Sequence, residues 1–126
     1  TNLDAKKYID KYKPYYSFVK KQGLSGLTEK QKEKYVNGYK AYAYIKDFDD
    51  ELKKIYQAEA EIARAAKIAG NRYAEQYRQG KISKADFEAK KEAYAIRLAD
   101  KSDRLEEKKL LLNRKIVEQI EKRGLK

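Results

Sequence analysis

Apolar residues recur at helical spacing along most of this chain. Tyr8, Tyr12, Tyr15 and Val19 fall at i, i+4, i+7 and i+11, one face of a helix. Pro14 interrupts that face, because it has no N–H to donate and biases Lys13 away from helix. The proline predicts that helix 1 ends near Lys11 and restarts with Pro14 at the first position. The alternative runs one kinked helix through the proline. A loop follows at Gln22-Gly23-Leu24-Ser25-Gly26-Leu27. Thr28, with Gln31 three residues on, is a capping box that opens the next helix, and Leu27 stands where a hydrophobic staple would.

From Glu29 to Gln79 there is no proline. Ile45, Phe48, Leu52, Ile55, Ile62, Ala66, Ala69 and Tyr73 form a heptad seam, weakened by Glu59 at one position. Tyr35, Tyr39 and Tyr42 continue a face upstream. Unbroken, this helix would be about 75 Å long. Asp47 or Asp49 can cap a fresh start, which would put a break near 46–50. Gly38 and Gly70 each cost about 1 kcal/mol relative to Ala. The Ala-rich stretch from Ala58 to Ala69 lets another helix approach closely.

The next stop is immediate. Gly80 can take the left-handed conformation that ends a helix, and Ser83, with Asp86 three residues on, can cap a new one. A second long helix then runs from Lys84 to the neighbourhood of Arg123, where Gly124 ends it. Phe87, Tyr94, Leu98, Leu105, Leu112, Ile116 and Ile120 hold one face, and Leu110, Leu111 and Leu112 broaden it. Folding back at the turn brings residues 105–120 beside 45–60. The predicted fold is all-α: a long antiparallel, coiled-coil-like helical hairpin over 28–126 with its turn at 79–83, and a shorter Tyr-rich N-terminal helical arm with a Gly-rich loop over 1–27.

Composition sharpens this picture. Charged residues make up 40% of the 126, and the 41% hydrophobic share leans on Ala and Tyr, which suits helices with a narrow apolar stripe. An extended shape, or one completed by a partner, is expected. The net charge of +11 favours polyanionic partners, namely nucleic acid, an anionic membrane surface or an acidic protein, although solubility alone also accounts for it. The absence of Cys and His removes thiol chemistry, the commonest general base and the commonest metal ligand. No apolar run reaches the roughly 20 residues that span a bilayer, and no signal peptide is visible. The chain begins at Thr1 and holds no Met, which fits loss of an initiator Met or a piece of something longer.

Residues Tyr77 to Lys91 include Gly80, Ile82, Ser83 and then Phe87-Glu88-Ala89-Lys90-Lys91. This segment resembles the short C-terminal oligomerisation-type domain of bacterial proteins, whose pattern is Gly, an apolar residue, Ser or Thr, then Phe-Glu-x-Lys-Lys. Here the pattern lies mid-chain and runs into a far longer helix. The resemblance implies a bacterial or phage origin.

Candidate chemistry is sparse. Asp47, Asp49, Asp50 and Glu51 are the densest acidic cluster, able to hold Mg²⁺ or Ca²⁺ or to form a solvated face paired with Lys46, Lys53 and Lys54. No Gly-containing calcium loop is present, so the solvated, lysine-paired face is expected, and no metal or cofactor. Nine of the twelve Tyr lie in the first 56 residues, where they either fill the core or stack on bases between lysines. Tyr16, Tyr44 and Tyr56 lie off the best stripes and are the better candidates for exposed stacking on bases, Tyr16 among the lysines of the N-terminal arm. The last helix mixes its Lys and Arg with acids, so the lopsided ends are the better phosphate contacts: Lys6, Lys7, Lys11, Lys13, Lys20 and Lys21, then Lys122, Arg123 and Lys126. No Ser has a His or Cys partner, and there is no phosphate-cradling Gly loop.

The sequence therefore points to a non-enzymatic helical structural protein, suited to a phage particle, a virion or a larger bacterial complex, cytoplasmic or virion-associated. Its assembly stripe would be Ile45, Phe48, Leu52, Ile55, Ile62, Leu105, Leu111, Leu112 and Ile116, facing copies of itself or a larger assembly. The alternative is a basic nucleic-acid-binding protein using the Lys-rich ends and exposed Tyr. A membrane-surface or toxin-type module is disfavoured, because no helix pairs a strongly basic face with an apolar one.

Overall fold

The computed structural model describes residues 2–124. Four helices follow one another: α1 (Asn2–Gln22), α2 (Glu29–Ala43), α3 (Lys46–Arg78) and α4 (Lys84–Lys122), and no strand occurs among the described residues. They distribute into two compact units, one built from residues 1–53 and 109–126, the other from 54–108.

In the first unit, α1 and α2 form an antiparallel pair. The ring of Tyr15 meets that of Tyr35 at 5.0 Å, and Tyr16 stacks on Tyr39 at 4.8 Å. Gly38 permits this approach, since a Cβ there would come within 2.6 Å of Tyr15 Cγ. The helix continues through Pro14, so the expected restart at that residue does not occur. Proline removes one hydrogen bond, and the burial of Ala5, Tyr8 and Tyr12 on one continuous face offsets that loss.

The chain breaks between α2 and α3 at Tyr44 and Ile45, just ahead of the expected 46–50. Asp47 and Asp49 lie inside the first turn of α3 and are not its cap. The Ile45 carbonyl instead accepts the N–H of Asp49 at 3.0 Å, while the Ile45 side chain is fully buried and anchors the corner. Leu52, Leu112, Ile116 and Ile120 are buried in the same unit. Each Leu or Ile removed from water contributes roughly 1.5–3 kcal/mol. Lys115 Nζ lies 5.9 Å from the Phe48 ring centre, so the end of α4 does run beside the start of α3. Of the three leucines expected to broaden this face, only Leu112 is buried. Helical rotation of about 100° per residue turns Leu110 and Leu111 outward.

In the second unit, α3 and α4 are joined by the expected turn. Lys81 N–H donates to Gln76 O at 2.9 Å and Gly80 N–H to Tyr77 O at 3.0 Å, with Gly80 at φ +73°. That is the paired bond pattern of a left-handed helix stop. Ser83 Oγ then accepts the N–H of Asp86 at 3.1 Å and starts α4. Across the hairpin Tyr77 packs on Phe87 at 5.2 Å and Tyr73 meets Tyr94 edge-on at 6.4 Å, which fixes the two helices antiparallel.

Candidate interaction surfaces

The polar centre of the first unit is Asp49. It is buried, and its carboxylate accepts a hydrogen bond from the buried Tyr42 hydroxyl. Lys13 and Lys53 each place Nζ 3.9 Å from Asp49 Oδ2, and Tyr16 leans on the Tyr42 ring at 4.9 Å. Burial, then the bond to Asp49, raises the Tyr42 phenol well above its ordinary value. Contact with the Lys53 ammonium, followed by burial, lowers Lys13 despite the pull of Asp49 and Asp50. Asp50 lies at the surface. Its 2.6 Å bond from Lys46 lowers the carboxyl and raises the amine. The pairing of Asp50 with Lys46 and Lys53 is the one expected of a solvated acidic face, whereas the burial of Asp49 was not visible in the sequence. Among the described residues, no group of three or more His, Cys, Asp or Glu is placed to hold a metal ion.

The stripe proposed for assembly is divided. Ile45, Leu52, Ile55, Leu112 and Ile116 are buried within the chain; Phe48, Ile62 and Leu105 are half-buried; Leu111 is exposed. In the second unit Ile55 is the one buried residue. There the facing positions of α3 and α4 border a cleft of about 210 Å³, floored by Ala66, Gly70 and Ala95 and walled by Tyr73, Tyr94 and Leu98. Nothing lies within 4 Å of a Cβ built on Gly70. Lys90 caps Tyr73 at 5.9 Å and Arg97 caps Tyr94 at 5.3 Å, so long cationic side chains cover the aromatic rings.

The residues expected to contact nucleic acid are also divided. Lys6, Lys7, Lys11, Lys20 and Lys21 are exposed on α1, while Lys13 is half-buried beside Asp49. Tyr16 is half-buried, with its ring engaged by Tyr39 and Tyr42. Lys122 is exposed, Arg123 lies 3.8 Å over the Tyr44 ring, and Lys126 falls outside the described residues. The charge itself is unevenly placed. The first unit has 18 Lys and Arg against 10 Asp and Glu, a net +8; the second has 13 against 10, a net +3.

No family model matches the chain, and neither a curated protein nor a solved structure matches it. No helix among the described residues is long and apolar enough to cross a membrane.

Proposed function

We propose that this is a non-enzymatic assembly protein in which the α3–α4 hairpin of the second unit packs against the same hairpin of a second copy. The observation that carries this reading is burial: in residues 54–108 only Ile55 is buried, while Ile62, Ala66, Tyr73, Tyr94, Leu98 and Leu105 stay half-exposed along the seam. Two helices alone cannot enclose their own apolar stripe, and a second pair supplies the missing layer, as in a four-helix bundle. Charge favours a like partner at this unit. With 13 cationic against 10 anionic residues, two copies repel little, whereas the +8 of the first unit opposes self-association there. The small residues at Ala66, Gly70 and Ala95 leave room for a side chain of the facing copy.

Size-exclusion chromatography with light scattering, across a concentration series, tests the reading. The wild type is expected to form a defined oligomer. Gly70→Leu fills the cleft and replaces a helix-interior glycine, so it should yield a monomer that stays helical by circular dichroism and whose melting temperature no longer depends on protein concentration. A wild-type monomer at hundreds of micromolar, or an oligomer indifferent to Gly70→Leu, would overturn the proposal.

A further inference from the structure

We propose, independently of the assembly reading, that the outer face of α1 binds the phosphate backbone of duplex nucleic acid without reading its sequence. Helix α1 has six lysines and two aspartates over Asn2–Gln22. Lys6 and Lys7 near its start, and Lys20 and Lys21 near its end, are exposed and take part in no ion pair among the described residues. Fourteen residues separate the two pairs, close to four turns, so they share one side of the helix about 21 Å apart. That span exceeds the roughly 12 Å width of the B-DNA major groove, so the two pairs reach the backbones on either side of it. Lys11, also exposed, lies between them.

The same helix argues against the competing ligands. Single-stranded nucleic acid is held by stacking on free aromatic rings. Here Tyr8 and Tyr12 are buried, Tyr15 is engaged by Tyr35, and Tyr16 is stacked on Tyr39. An anionic membrane is held by a basic helix that also inserts an apolar face. The apolar face of α1, with Ala5, Tyr8 and Tyr12, is already buried in the protein. What remains is charge displayed along a rigid rod, which matches a regular double row of phosphates.

Fluorescence anisotropy with a labelled 20-base-pair duplex, the matching single strand, and vesicles of phosphatidylserine and phosphatidylcholine, over 50–300 mM salt, tests this. Duplex affinity should fall with a log–log slope near −4.5, from about 0.9 per phosphate contacted by five lysines. The combined Lys6→Gln, Lys7→Gln, Lys20→Gln, Lys21→Gln variant should make that slope shallower by about 3 to 4. A control carrying Lys67→Gln, Lys81→Gln and Lys84→Gln in the second unit should keep most of it. Circular dichroism of both variants establishes that they fold. Duplex binding that survives the α1 variant, tighter binding to the single strand, binding to vesicles in place of duplex, or no binding at 50 mM salt would each overturn the proposal.

Discussion

The Tyr42 hydroxyl donates to the Asp49 carboxylate across the corner between α2 and α3, and both residues are buried. The bond ties the last turn of one helix to the first turn of the next, where the chain has neither glycine nor proline to shape the bend. Lys13 and Lys53 approach the same carboxylate from α1 and α3, so three helices meet at one anion. Tyr42→Phe should therefore cost about 1–3 kcal/mol, the penalty of leaving a buried acceptor without its O–H donor. Urea unfolding measures it, and a change below about 0.5 kcal/mol would contradict the role given to this bond.

The same pair sets an alkaline limit. The folded-state Tyr42 phenol is raised above its ordinary value of 10.0, first by burial and then by Asp49. Above pH 10 the unfolded chain releases this proton while the folded chain retains it, so its contribution is complete below pH 10 and is lost as pH rises beyond it. Stability measured from pH 8 to 11.5 should fall at the upper end. The fall should be shallower in Tyr42→Phe, because that variant has no phenol to titrate there.

Gly38→Ala should destabilise by about 1–3 kcal/mol, although alanine is the better helix former. The added methyl would meet Tyr15 Cβ and Cγ at 2.6 Å each. Combining it with Tyr15→Ala should give less than the sum of the two single losses, because the clash disappears with the ring. Additive thermal shifts in a double-mutant cycle would show that Gly38 is there for another reason.

Core and surface leucines should part company. Leu52→Ala and Ile116→Ala remove side chains that are 1% and 0% exposed, and each should cost about 2–5 kcal/mol. Leu111→Ala, at a residue 48% exposed, should stay within about 0.5 kcal/mol by the same unfolding measurement. An oligomer disrupted by Leu52→Asp would consequently report unfolding, which is why the glycine at position 70 is the cleaner probe of association.

Local chemistry was legible wherever backbone geometry demands a particular residue. Thr28 Oγ1 accepts the N–H of Gln31 at 3.2 Å, and Gln31 Oε1 accepts the N–H of Thr28 at 3.0 Å. Gly80 and Ser83 act as read, and Gly124 takes φ +67° at the end of α4. Pro14 misled because its local penalty of about 3 kcal/mol is offset by contacts on both sides of it, with Ala5, Tyr8 and Tyr12 buried before it and Tyr15, Tyr16 and Phe18 packed on α2 after it. Tertiary partners were hidden for a different reason. Periodicity marks a residue as on or off a stripe, but it does not show that an off-stripe Tyr16 meets Tyr39, or that Asp49 receives a phenol. Asn113, buried and donating to Lys109 O at 2.7 Å, left no trace in the apolar pattern for the same reason.

The first unit is assembled from residues 1–53 and 109–126. On the ribosome α1 and α2 emerge long before Leu112, Ile116 and Ile120, which share their core. At about 5–20 residues per second, the 55 intervening residues hold the nascent N-terminal part open for several seconds. Helices α1 and α2 can pair through their tyrosines in that interval, but the part of the core that Leu112, Ile116 and Ile120 fill stays open until residues 109–126 emerge, while the hairpin of residues 54–108 has all of its chain and can close first.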